Sequence, residues 1–163
     1  MLIKDNKRKQ NLLSKLIHKI QWCLRKYLIP KPNRDLQDLD SKHLNNVAIA
    51  GLFCTGSGMG QAARNCYEGL QISGVKSQAI NLSNVLNQTD MEYKDSVEPC
   101  KCNRWDTLIL HLNPDEVETA LFSIRHSANK YPRIIGYWAW ELPIIPENWV
   151  NAQKYISEIW VPS

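Results

Sequence analysis

Val47-Ala-Ile-Ala-Gly51-Leu-Phe-Cys-Thr-Gly56-Ser-Gly58-Met-Gly60-Gln-Ala-Ala-Arg64 is the stretch that decides the fold. Val47 to Phe53 is a short unbroken apolar run, the pattern of a strand buried on both faces of a parallel sheet. From Gln61 the residues Ala62, Ala63, Cys66, Tyr67 and Leu70 recur at helical spacing, so a helix is expected over 61–70 with that face inward. A strand that runs through a glycine turn straight into a helix is the opening unit of a Rossmann-like sheet.

Outward from there the same alternation repeats. Strands are expected at 78–82, 107–112, 133–138 and 157–161, separated by helical patterns. Asn113-Pro114-Asp115-Glu116 reads as a helix start, with Asn as cap, Pro at the first helical position and Glu three residues after the cap, the helix running to about Ser127. A turn on Pro143 and Pro146 precedes a helix from Glu147 to about Tyr155, and the polar stretch 83–104 reads as a long surface loop with a short helix. The whole predicts an α/β, doubly wound parallel sheet with right-handed crossovers. Ligands on such sheets bind at the carboxyl ends of the strands, which gathers Cys54 to Gly60, His111 to Pro114, Trp140 to Pro143 and Ser163 on one rim.

At 163 residues the chain suits one domain and an appendage. Up to Arg34 there are ten Lys/Arg and one acidic residue, and from Asp35 onward ten Lys/Arg and fifteen acidic residues, so the net charge of +4 divides into +9 and −5. A nucleic-acid binder would carry its basic surface on the folded body, and that class is excluded. Between residues 12 and 28, Leu12, Leu16, Ile20, Cys23, Leu24 and Tyr27 recur at helical spacing among lysines and arginines, which predicts a basic amphipathic helix stopped by Pro30 and Pro32. It reads either as an attachment to an anionic membrane surface or as a mobile or self-docked tail. A linker at 33–46 divides residues 1–45 from a domain at 46–163.

Five cysteines, an odd number with no export signal before them, point to free thiols and a cytoplasmic setting. Cys100 and Cys102 form a C-x-C pair without a second ligand pair, so no metal is expected. No apolar run approaches the roughly 20 residues that span a bilayer.

The glycine turn carries the chemistry. Gly56, Ser57, Gly58, Met59 and Gly60 let a ligand approach the backbone, and free N–H groups at a helix start favour a phosphate. The rival reading is a tight turn that needs positive φ angles and binds nothing. A triphosphate loop is disfavoured because no Lys follows, and a dinucleotide site because the spacing is G-x-G-x-G and the second strand ends at Asn81 and Leu82 without an acidic residue.

The loop from Thr55 to Arg64, the stretch His111-Leu-Asn113-Pro-Asp115, and Gly136-Tyr-Trp-Ala-Trp140-Glu141-Leu-Pro143 leading to Glu158-Ile-Trp160-Val-Pro-Ser163 together resemble family-4 glycosyltransferases of the GT-B fold, in order and over roughly 46–163. The resemblance implies the N-terminal, acceptor-side domain of a retaining enzyme that moves a sugar from a nucleotide-sugar, with no metal or other cofactor. The nucleotide would lie mostly on a C-terminal domain that this sequence does not contain, so the chain alone is expected to be inactive and to work with a separate second domain. N–H donors of Gly58 and Gly60 would face the leaving diphosphate, and Arg64 would balance its charge or form a solvated face. His111 would contact sugar or acceptor, or be a satisfied structural group. Glu141 would orient acceptor hydroxyls or cap a turn. Asn113 and Trp140 would contact the acceptor. A non-catalytic sugar- or partner-binding module is the alternative. A strand ending at Val161 with no helix after it is expected to leave one sheet face bare.

Overall fold

The computed structural model describes residue 20 and residues 23–34, 46–139 and 144–162. Six parallel strands form one sheet: β1 (Val47–Gly51), β2 (Ser77–Asn81), β3 (Ser96–Val97), β4 (Trp105–His111), β5 (Ala128–Tyr137) and β6 (Glu158–Trp160), in the order β3-β2-β1-β4-β5-β6. The order reverses between β1 and β4, as in a Rossmann-like sheet, and the crevice where those two strands part company is its topological switch point.

Every residue of β1 is buried, as expected of a central parallel strand covered on both sides. Alternate residues serve two cores. Val47, Ile49, Ile109 and Ile135 pack with Phe53, Ala63, Cys66, Tyr67 and Leu70 under the helix α1 (Gly58–Ile72). Ala48, Ala50, Leu108, Leu110 and Ile134 pack on the opposite face with Leu121 and Ile124 of the helix α2 (Val117–Ile124), and with Tyr155 of the 3-10 turn Asn151–Tyr155 that follows the short helix α3 (Glu147–Val150).

Helix α1 begins and ends on local chemistry. Ser57 caps it, its hydroxyl accepting the Gly60 N–H at 3.1 Å. It closes in a Schellman motif: Gly74, at φ 77°, donates to the Gln71 carbonyl and Val75 donates to that of Leu70. Leu70 and Val75 both pack on the core beneath, which fixes the angle at which the chain enters β2.

Several boundaries differ from the expected ones. The loop 83–104 contains β3 and a 3-10 turn, Pro99–Lys101, so the sheet has a sixth strand. The Asn113 carbonyl, not its side chain, receives the Glu116 N–H at 3.0 Å, and a turn occupies the place of the expected first helical turn; α2 starts at Val117 without a side-chain cap. Strand β5 begins five residues early because Ala128 pairs with Trp105 ahead of a register irregularity. Among the expected apolar positions of the N-terminal helix, Ile20, Leu24 and Tyr27 are exposed, and Leu12 and Leu16 lie outside the described residues. Residues 23–28 are helical. This segment meets the domain through Arg25 over the Phe122 ring, through Ile29 in the α2-side core, and through Asn33, which donates to the Pro132 carbonyl.

Candidate functional site

The parallel registers align Gly51 with His111, His111 with Tyr137, and Tyr137 with Trp160. Register partners in parallel strands project to the same face, so the strand-ending residues of β1, β4, β5 and β6 form a row along the carboxyl edge, on the face that α1 covers. The glycine turn lies at one end of the row. Gly51 fits tightly there, because a Cβ would stand 3.0 Å from that of Ala63 and 3.2 Å from that of His111 and a neighbour would have to yield.

The turn itself is held from within. Thr55 Oγ1 donates to the Leu52 carbonyl at 3.1 Å and lies 2.7 Å from Ser57 Oγ. Either hydroxyl of the Thr55–Ser57 pair can be the donor between them, and the Ser57 oxygen takes the Gly60 N–H. Ser57 thus serves the turn as the cap of α1. Arg64 is buried, its Nη1 donating to the carbonyls of Phe53 at 2.7 Å and Thr55 at 2.8 Å, while Nη2 reaches Gln61. Its guanidinium is taken up by the carbonyls of its own loop, which does not fit a solvated face.

The three glycines of the turn divide by role. None has a positive φ, so the turn-only reading loses its stated reason. A Cβ on Gly60 would meet Thr55 Oγ1 at 2.5 Å and the Leu52 carbonyl at 2.6 Å, so Gly60 is a packing requirement. At Gly58 nothing lies within 4 Å of that position, and Gly58 is exposed. The first-turn N–H groups of Gly58 and Met59 have no acceptor inside the helix. They open at the positive end of the helix dipole, whereas the Gly60 donor is engaged by Ser57.

His111 is 3% exposed, and neither ring nitrogen has a hydrogen-bond partner among the described residues. Its ring stacks on Tyr137 with centroids 4.7 Å apart. Burial lowers its pKa to about 4, so the imidazole is neutral at pH 7, with one N–H donor and one acceptor. A buried polar ring without partners calls for an explanation, which a bound water or a ligand at the carboxyl edge would equally supply.

Residues 82–95, which follow β2, hydrogen-bond to both walls of the crevice. On the β1 side, Ser83 Oγ accepts the Cys54 N–H at 3.0 Å, Asp90 and Met91 donate to the Cys54 carbonyl at 3.0 and 3.2 Å, and Asp90 Oδ1 accepts the Gly56 N–H at 2.8 Å. On the β4 side, Gln88 Nε2 donates to Glu116 Oε1 at 2.7 Å, and burial pushes the Glu116 carboxyl up.

The structure therefore brings together Gly56, Ser57, Gly58, Met59, Gly60, His111 and Asn113 at one edge. Trp140 and Glu141 lie outside the described residues. Trp138 and Trp149 are buried against each other in an edge-on pair, whereas Trp160 is 41% exposed at the far end of the row. Sequence reading passed over Tyr137 and Asp90. Tyr137 stood within the Gly136-to-Pro143 stretch and inside the expected strand 133–138 without a role of its own, and for Asp90 there was no signal. Among the described residues no cluster of His, Cys, Asp or Glu suits a metal ion, and no helix is long and apolar enough to cross a membrane. The chain matches no protein-family model, no curated protein and no solved structure.

Proposed function

We propose that this chain is the acceptor-side, N-terminal half of a GT-B glycosyltransferase that moves a sugar from a nucleotide-sugar to an acceptor, completed by a second domain that grips the nucleotide. One observation carries the reading. An exposed glycine helix start and a buried, unpartnered histidine meet at the switch point of a parallel sheet, where such folds bind their ligands. The N–H groups of Gly58 and Met59 face the leaving diphosphate and stabilise its growing charge. Neutral His111 hydrogen-bonds a hydroxyl of the sugar or acceptor through ring nitrogens that have no partner among the described residues. Asn113 and Trp140 contact the acceptor and Glu141 orients its hydroxyls, as the resemblance implies.

Calorimetry of the chain with nucleotide-sugars, followed by a sugar-transfer assay after adding a candidate second domain, tests this. Binding together with transfer supports the half-enzyme, and the absence of both removes it. A second reading, a non-catalytic sugar- or partner-binding module, is favoured by the engagement of the Arg64 guanidinium with the carbonyls of its own loop; binding without transfer in the completed assembly selects it. The basic N-terminal segment is a separate proposal, a contact with an anionic membrane surface at the inner face. Chain that stays in the supernatant of anionic liposomes at low salt ends that idea.

A further inference from the structure

The glycine loop already holds an anion, and the anion belongs to the chain. Gly56 donates its N–H to Asp90 Oδ1 at 2.8 Å, and both Asp90 carboxylate oxygens lie 4.0 Å from where a Gly56 Cβ would stand. Asp90 is exposed, so no burial forces its carboxylate there. What brings it is the strap of residues 82–95, tied to Cys54 by three hydrogen bonds and to Glu116 across the crevice by Gln88. Tyr93 adds an apolar anchor, its ring 5.4 Å from that of Phe53. The buried His111, both of whose nitrogens lack a partner among the described residues, stands at the end of the neighbouring strand, a second polar group at this edge that the chain leaves unengaged.

We propose that Asp90 is an internal competitor for the anion site of the glycine loop, a built-in contact that a phosphate-bearing ligand must displace from the Gly56 N–H. The proposal rests on the reading of this loop as a phosphate site. A diphosphate approaching Gly58, two residues on from Gly56, meets the like charge of Asp90, and like charges oppose binding. The carboxylate thus keeps the loop ordered when empty and raises the threshold for simple anions, while a ligand with further contacts along the row of His111 and Tyr137 overcomes it. No covalent step is involved.

The test is calorimetric titration of the full chain with inorganic pyrophosphate at fixed, low ionic strength, using wild type, Asp90→Asn, Asp90→Ala and Gln88→Ala, each checked for its fold by circular dichroism. Asp90→Asn keeps an acceptor for Gly56 but removes the charge, whereas Gln88→Ala loosens the strap and keeps the charge. Both Asp90 variants are expected to bind pyrophosphate about tenfold more tightly than wild type, with Gln88→Ala close to wild type. Equal affinity in all four proteins overturns the competitor and leaves the phosphate site standing. A gain as large in Gln88→Ala as in Asp90→Asn overturns it in favour of simple strap opening. Binding by none of the four removes the phosphate site and the competitor together.

Discussion

Burial without a partner sets the behaviour of His111. Its pKa falls from 6.5 to about 4 in the folded chain, so between those pH values the unfolded chain takes up a proton that the folded one refuses. Stability from this group is therefore complete above about pH 6.5 and is lost as the pH drops toward 4. At 1.36 kcal/mol per pH unit the loss by pH 4.5 is about 2–3 kcal/mol. Urea unfolding at pH 7.0 and pH 4.5 is expected to show that difference in wild type relative to His111→Gln, which does not titrate; parallel pH profiles of the two proteins count against a buried neutral imidazole. Two glycines give a second test. Gly60→Ala forces a methyl against Thr55 and the Leu52 carbonyl, and about 1–3 kcal/mol of destabilisation is expected from such overpacking. Gly58→Ala meets nothing and raises helix propensity, so stability holds or rises by up to about 1 kcal/mol. A ligand seated on that backbone would collide with the methyl, so Gly58→Ala is expected to weaken pyrophosphate binding although the protein is no less stable. Unchanged binding places the anion elsewhere.

The turn between β1 and α1 is an element in its own right, braced by Arg64. Hydrogen bonds to a charged group are worth about 1.5–3 kcal/mol each, so losing the two to the Phe53 and Thr55 carbonyls in Arg64→Met, which keeps much of the stem, is expected to cost about 3–6 kcal/mol in chemical denaturation. It should also release the loop amides to faster hydrogen exchange; a variant as stable as wild type shows that the guanidinium does not brace the loop. The role of Arg64 was not legible in the sequence, because an arginine one turn into a helix looks the same whether it faces solvent or folds back onto its own loop. The strand and helix that flank the turn were legible, since Val47 to Gly51 are apolar without interruption and the α1 positions recur at helical spacing. The start of α2 was misread for a tertiary reason. Asn113, Pro114 and Glu116 have the letters of a capping box, but Gln88 from the strap binds the Glu116 carboxylate that the box requires. Strand β3 escaped because two residues pairing with β2 leave no periodic pattern to read. Asp90 escaped for the same kind of reason, since its partner Gly56 is 34 residues away and only the folded strap brings them together.

For the molecule as a whole, the order of apolar runs and turns was enough to anticipate a parallel α/β sheet, and the carboxyl-edge rule was enough to anticipate the meeting of the glycine turn with His111. The state of the outer strand also follows at this scale. Among the described residues β6 pairs only with β5, and Ile159 and Trp160 within it and Val161 just past it are exposed. The opposite edge, β3, offers only Ser96 and Val97. An edge with unpaired backbone groups and apolar side chains is a template for another strand, and nature blunts such edges with lysine or with very short strands. At three residues β6 is short, but Val161 and the exposed Ile144 and Ile145 add to the apolar surface beyond it. Self-association through β6 is therefore expected, visible in sedimentation velocity as a weight-average coefficient that rises with protein concentration. Ile159→Lys places a charge on the edge without touching the row from Gly51 to Trp160, and it is expected to return the chain to a monomer while leaving pyrophosphate binding as in wild type. A monodisperse wild-type monomer across the concentration range rules out the edge as a driving force, whereas association that survives Ile159→Lys moves it to another surface.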